Sequence, residues 1–292
     1  MRTHISSVGL VIAPDQAASF EYPSHIDRAS IDALPSHPGI YIFRGVEGVP
    51  LYIGKSVNIR SRVLSHLRTP EEARMLQQST HVEFSRTAGE IGALLLESQL
   101  IKTLQPLHNR KLRRVREMCA LRIQDHPVPD VVFGHDIDFA TAPGLYGLFS
   151  TRKSALERLR MIVDTHCLCP AVTGLEKQVR GRPCFARQIA RCLGACTGEE
   201  SAAAHHARLL AALEELRIMP WPFDAAMGII EEHEGWRQVH VVDRWHYRGS
   251  IDGRKKITTR KLAQKKPFDI DTYNILAKPL MRGELRIMPL PV

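Results

Sequence analysis

VPLYIGKSVNIRSRVLSHL, Val49 to Leu67, passes from a β-branched and aromatic run through a glycine and a lysine into an arginine-bearing segment. The apolar opening predicts a strand, and Gly54 supplies the turn that leaves it. Beyond the turn the spacing predicts a helix with Val57, Leu64 and Leu67 on one apolar side and Arg60 and Arg62 pointing elsewhere. One strand-to-helix turn thus gathers the Tyr52 phenol with the cations Lys55, Arg60 and Arg62. That grouping suits a negatively charged substrate, and a solvated surface is the alternative reading.

Working outward, IYIF (Ile40–Phe43) is a second strand, joined to PLYIG across the turn signal GVEGVP, so the two form an antiparallel hairpin. SHIDRASIDAL upstream reads as a short helix closed by PSHPG. Downstream, PEEARMLQQ reads as a helical piece and HVEFSRT as a third strand. GEIGALLLESQLIKTLQ, Gly89 to Gln105, is the strongest helix of the chain, ended by Pro106. Its apolar residues surround nearly the whole circumference, which predicts burial. At about 100° per residue Glu97 falls among Ala93, Leu100, Ile101 and Leu104. A carboxylate there is costly unless it has a partner or binds a cation. Either a nearby arginine or a magnesium ion, which takes one or two carboxylates, meets that need.

The 292 residues allow two modest domains, and 44% hydrophobic with 24% charged residues is a globular composition. No apolar run approaches the ~20 residues of a membrane span, and the N-terminus has no secretory pattern, so a cytoplasmic protein without a membrane partner is expected. A formal net charge of +9 favours a polyanionic partner. The first 20 residues lack periodicity and read as a loose tail. EESAAAHHARLLAALEELR is an alanine- and leucine-rich helix. AMGIIEEH and RQVHVVDRWHYRGSI read as strands of a small terminal domain. His205 and His206 project about 100° apart, and His233, His240 and His246 read as surface or core groups.

The motifs GIY (Gly39–Tyr41), YIG (Tyr52–Gly54), Lys55, Arg62, LLLESQLIK and QPLHN occur in order between Tyr22 and about Leu112. Together they resemble the GIY-YIG endonuclease domain of the UvrC family of bacterial nucleotide excision repair, and in particular that family's short members. The resemblance implies an α+β fold. A GIY-YIG domain at 21–112, a small antiparallel sheet flanked by helices, would follow the tail at 1–20. A basic linker with connecting strands (113–150), a helical cysteine-bearing region (151–218) and a small α/β domain (219–292) would come next. It also implies roles. Tyr41, Tyr52, Lys55, Arg62 and Asn109 match the family's catalytic set, His66 lies where relatives place a Tyr or His, and Glu97 matches the ligand of Mg2+ or another divalent cation. The implied activity is a nick on the 3′ side of a lesion in damaged double-stranded DNA marked by UvrB, in an SOS-type damage response, by a monomer. A GIY-YIG nuclease of branched or undamaged DNA and a non-catalytic DNA-binding adaptor are the rival readings.

Two further features bear on this. Arg110, Lys111, Arg113, Arg114 and Arg116 follow the nuclease helix directly. With Arg60 they are the candidate track for a DNA backbone, which such contacts position without reading sequence. A second basic run spans Arg254 to Lys266. Five of the six cysteines lie between Cys167 and Cys196, and clustering of this kind favours a metal over disulfides in a cytosolic protein. Cys184, Cys192 and Cys196 recur at multiples of four, so a helical segment would bring three thiols to one side. The resemblance extends to this RPC…RC…C pattern and implies a four-thiolate iron–sulfur cluster of 4Fe-4S type. Cys169 is the fourth ligand, Cys167 its alternate, and zinc the other metal such a set suits. Buried small cysteines are the bland reading, and Cys119, alone in a strand, fits it.

Overall fold

Alternation along the GIY strand builds the first unit on two faces. In the computed structural model, which describes residues 22–109, 117–124, 126, 128–177, 182–253 and 266–290, α1 (Arg28–Asp32) precedes β1 (Gly39–Arg44) and β2 (Pro50–Ser56). Then come α2 (Ile59–Leu67), α3 (Ala73–Gln78), β3 (His81–Arg86) and α4 (Glu90–Leu104). The sheet order is β2-β1-β3, antiparallel throughout. Tyr41 and Phe43 point into a core with Ile31, Ile59, Val63 and Leu76, while Ile40, Ile42 and Ile53 meet Ile101 and Leu100 of α4 on the other face. The period of two in β1 therefore serves two apolar layers, one of small helices and one of α4.

The turn after the quoted strand differs from the expected pattern. Asn58 caps α2, its side chain accepting from the Ser61 amide at 2.9 Å, so Val57 lies before the helix and is 60% exposed. The buried face is Ile59, Val63, His66 and Leu67 instead. The cap moved the helix start by two residues, and the apolar face turned with it. α4 ends as expected: Gln105 takes a left-handed conformation (φ 49°) just before Pro106.

The remaining elements are β4 (Cys119–Arg122), β5 (Asp130–Phe133), β6 (Leu145–Phe149), α5 (Arg152–Thr165), α6 (Phe185–Gln188) and α7 (Ala202–Leu213), followed by β7 (Met227–His233), β8 (Trp236–Asp243), β9 (His246–Asp252), α8 (Ile270–Met281) and β10 (Arg286–Pro289). The middle sheet, ordered β5-β4-β6, shares one core with α5 and α7 through Cys119, Leu121, Leu159, Ile162 and Leu209. The strands grouped with the linker thus pack on the helices of the cysteine region. The last unit is an antiparallel sheet, β10-β7-β8-β9, with α8 against it. It packs on α4, so the nuclease helix is covered by its own sheet on one side and by α8 and β9 on the other.

The expected tail at 1–20, the cations Arg110, Lys111, Arg113, Arg114 and Arg116, and Arg254 to Lys265 lie outside the described residues. Among the described residues no helix is long and apolar enough to cross a membrane.

Candidate active site and cysteine centre

Register places the two tyrosines. Tyr41 pairs with Gly54, and Phe43 with Tyr52, so both phenols emerge on the α2 face of the hairpin. A Cβ on Gly54 would stand 2.3 Å from the Tyr41 hydroxyl, which is why the third residue of the YIG motif has no side chain. Tyr41 is 1% exposed, and its ring centroid lies 6.3 Å from that of Tyr52 and 5.3 Å from His66.

His66 organises the phenol. Its Nε2 is 2.6 Å from the Tyr41 hydroxyl, and its Nδ1 bonds to the Glu72 carboxylate. A carboxylate only accepts, so Nδ1 carries the proton and Nε2 is left to accept from Tyr41. Burial lowers the pKa of His66, against the pull of Glu72, and favours the neutral ring this arrangement needs. The Arg62 guanidinium acts on the Tyr41 oxygen through hydrogen bonding and charge, both favouring the phenolate. Burial, and next the neighbouring Tyr52, push the Tyr41 phenol well above its ordinary range, with Arg62 opposing. Burial and then Glu97 raise Tyr52 too. At neutral pH both phenols therefore hold their protons; both rings lie against His66, with centroids 5.3 Å and 5.5 Å away, and it is the Tyr41 hydroxyl that is hydrogen-bonded to the imidazole Nε2.

Glu97 reaches the same place from α4. β2 is an edge strand whose outward groups are taken in turn. Leu51 O accepts from the His108 amide at 2.7 Å. The Asn109 side chain accepts from Ile53 N at 2.8 Å and donates to Ile53 O at 2.9 Å. Lys55 N donates to Glu97 Oε1 at 3.1 Å. Asn109 is thus a clamp on the strand between Tyr52 and Gly54. Burial raises the Glu97 carboxyl above its ordinary pKa, opposed by the Lys55 amide and charge. With Oε1 holding one backbone amide, Oε2 keeps its acceptor capacity, so the group suits a hard cation. The Lys55 ammonium turns to Glu90 at the start of α4.

Of the expected set, Tyr41, Tyr52, Arg62, His66 and Glu97 converge, while Lys55 and Asn109 frame them. Arg60 is used elsewhere: its guanidinium donates to the carbonyls of Ile31 (3.4 Å) and Asp32 (3.1 Å) at the end of α1. Glu72 escaped sequence reasoning. Its signal was the second glutamate of PEEARM, six residues after His66, legible only once the turn at Pro70–Glu72 is known to fold back.

The cysteines converge by another route than the helical one expected. Cys169, Cys184, Cys192 and Cys196 bring their sulfurs within 4.8 Å of one another, with Cys169 and Cys184 3.8 Å apart. Among the described residues from Cys169 to Cys196, only Phe185–Gln188 is helical. Cys184 is its N-cap, and Cys192 and Cys196 lie beyond it in turns broken at Ala190 (φ 58°) and Gly194 (φ 86°). Glycine and turn residues end the helix before the fourfold spacing can act. Backbone amides instead point at sulfur: Cys184 N at Cys196 (3.4 Å), Arg187 N at Cys184 (3.4 Å) and Gly194 N at Cys192 (3.3 Å). Burial raises the Cys169 thiol to about 11 and Cys184 further still. Cys167 is exposed and stands outside the group, and Cys119 is buried in β4. The buried His205 accepts from Cys169 N through Nε2 at 2.9 Å, and no sequence pattern announced it.

Comparison with known proteins covers all three units. Residues 37–110 match the family described as the UvrC-like GIY-YIG domain, 118–215 the UvrC/Cho excinuclease middle domain, and 226–292 the Excinuclease Cho C-terminal domain. The protein named Excinuclease cho of Escherichia coli (strain K12) is 48% identical over 277 residues, 94% of this chain and 93% of that one. Its namesake in Salmonella typhimurium is 45% identical, with 94% of each chain covered. The crystallised GIY-YIG N-terminal endonuclease domain of UvrC from Thermotoga maritima, bound to its catalytic magnesium, is 36% identical. That match covers 28% of this chain and 93% of that domain, with a TM-score of 0.26.

Proposed function

The chain belongs to the UvrC/Cho excinuclease family, endonucleases of nucleotide excision repair, and we propose that it nicks one strand on the 3′ side of a lesion in duplex DNA held by UvrB. The observation that carries the chemistry is the Tyr41–His66–Glu72 chain, with Arg62 on the phenol oxygen and Glu97 beside Tyr52. Tyr41 takes the proton of the attacking water as its own proton passes to His66 Nε2. Glu72 holds the imidazole in the accepting tautomer and stabilises the imidazolium that results. Arg62 supports the negative charge that builds on the phenol oxygen during that relay and the charge that develops on the phosphate. Tyr52, half-buried beside Tyr41, orients the water. Lys55 and Asn109 hold β2, and with it both tyrosines, in register. Glu97 would hold a divalent cation such as Mg2+, which when bound supplies Lewis-acid stabilisation of the phosphate and leaving oxygen.

The positive balance of the chain supports a DNA track over Arg110, Lys111, Arg113, Arg114 and Arg116, on a cytoplasmic monomer. Arg60, whose guanidinium donates to the last carbonyls of α1, is left out of that track. For the cysteines we propose a structural metal centre held by Cys169, Cys184, Cys192 and Cys196. The family's cysteine pattern supports a 4Fe-4S cluster. The 3.8 Å sulfur separation favours the second reading, a single zinc, because Zn–S bonds of ~2.3 Å in a tetrahedron place sulfurs about 3.8 Å apart. A four-iron cube spreads them farther. Iron, sulfide and zinc analysis of anaerobically purified protein decides between them.

The functional test is incision of an end-labelled duplex carrying one lesion. Cutting only with UvrB and magnesium, 3′ to the lesion, is expected. Equal cutting of undamaged or branched DNA without UvrB would replace the reading with that of a structure-selective nuclease.

A further inference from the structure

α4 carries Glu97 but has no cap of its own. Its N-cap residue is Gly89, in extended conformation and without a side-chain hydrogen bond to the helix. The first-turn amides are satisfied from the C-terminal sheet: Glu231 of β7 accepts from Ile91 N at 2.9 Å and Gly92 N at 2.7 Å, one carboxylate oxygen to each. Gln238 of β8 accepts from Ala88 N at 3.2 Å. His240, fully buried, braces the carboxylate through Nε2 at 2.9 Å and is itself held by Ser250 at 2.6 Å. The two glycines of α4's first turn make room. A Cβ on Gly89 would stand 2.3 Å from Glu231 Oε1, and one on Gly92 2.3 Å from the His240 ring. At the other end Lys102 pairs with Asp269 (2.5 Å) and Asp271 (2.6 Å) at the start of α8. Glu97 lies between these two grips.

We propose that Glu231 is the N-cap of the nuclease helix, supplied by the C-terminal domain, and that it is a positioning residue for Glu97. An anionic side chain on the first-turn amides completes hydrogen bonds the helix cannot make and complements its dipole. The gap left by the two glycines is shaped for that carboxylate, so the absent local cap and the distant one are halves of one device. This gives the C-terminal domain a task in catalysis: it fixes the rotation and height of the helix on which the metal-binding carboxylate rides. The inference rests on the reading of Glu97 as that ligand.

The test uses the full chain, with single-turnover incision at saturating UvrB–DNA measured across magnesium concentrations. Glu231→Ala should slow incision on the order of tenfold to a hundredfold and raise the magnesium needed for half-maximal rate, with DNA affinity unchanged. Gly89→Asp should harm the parent, because its Cβ meets Glu231. In the Glu231→Ala background the same change should restore the rate, because aspartate is a preferred local cap. That reversal of sign is what loss of domain docking alone would not give. Glu231→Gln, which keeps the shape and one acceptor, should fall between parent and Glu231→Ala and serves if the alanine variant is unstable. Parental rates in both Glu231 variants, or a folded Glu231→Ala protein that Gly89→Asp fails to rescue, would overturn the proposal. Glu97→Gln run alongside keeps the two readings apart: its activity would refute the metal assignment, whereas its inactivity beside an unaffected Glu231→Ala would refute the capping role alone.

Discussion

Glu97 and His66 are the residues on which the proposed chemistry turns, and each makes a prediction of its own. Burial lifts the Glu97 pKa, so its charged form is disfavoured in the fold, and the stability it contributes is lost as pH rises through that raised value. At neutral pH the ionised group therefore costs stability until a cation binds. Glu97→Gln should leave the metal-free melting temperature equal or higher while cutting incision by on the order of a thousandfold. A variant incising at a tenth of the parent rate would contradict the assignment. His66 must be neutral to accept the Tyr41 proton, and its folded pKa is lowered by burial. The neutral ring thus persists below the ordinary imidazole value, and activity should fall only as pH drops through a value under ~6.5. His66→Ala should lower the rate about a hundredfold. Glu72→Gln, which still accepts from Nδ1 but cannot offset an imidazolium, should have a smaller effect. A pH profile unchanged in both variants would remove them from the proton path. Tyr41, Tyr52, Arg62 and Glu97 were legible because motif order marks them. Glu72 was not, because its partner is set by a turn that spacing does not encode.

The hairpin, the third strand and α4 could be read from periodicity alone, since period-two alternation and an all-round apolar helix are strong local signals. Two elements defeated that reading for a shared reason, capping. Asn58 shifted the start of α2 and moved Val57 off the apolar face. Cys184 caps a helix of four residues, so the cysteines converge through turns and amide-to-sulfur bonds rather than along a helical face. The prediction at this scale concerns that loop. Cys192→Ser should remove the metal and lower the melting temperature of the middle unit, while His66 and Tyr41, in another core, stay hydrogen-bonded. Cysteines that all react freely with a thiol reagent in folded, anaerobic protein, with neither iron nor zinc present, would leave only buried thiols.

Across the whole molecule, the nuclease sheet presents the phenols, α4 presents the carboxylate, and the C-terminal domain holds α4 at both ends, through β7 at its start and the first turn of α8 at its end. Nothing in the spacing of GEIG and EEH, well over a hundred residues apart in the chain, tells that one caps the other; such pairings belong to tertiary structure. The basic run that follows α4 in the sequence supplies the cations proposed to bind phosphate. Arg113→Ala with Arg114→Ala should therefore weaken DNA binding and flatten its salt dependence by about one unit of slope for each phosphate no longer neutralised, while Arg62→Ala lowers the rate at saturating DNA. Equal effects of both on the single-turnover rate would mean these arginines had been sorted wrongly. The most direct measurement is the incision assay on a duplex with one lesion, labelled at one end, with UvrB and magnesium each present or absent. The account predicts one nick 3′ to the lesion, dependent on both and abolished in Glu97→Gln. Incision that persists without a divalent cation, or survives in Glu97→Gln, would contradict it.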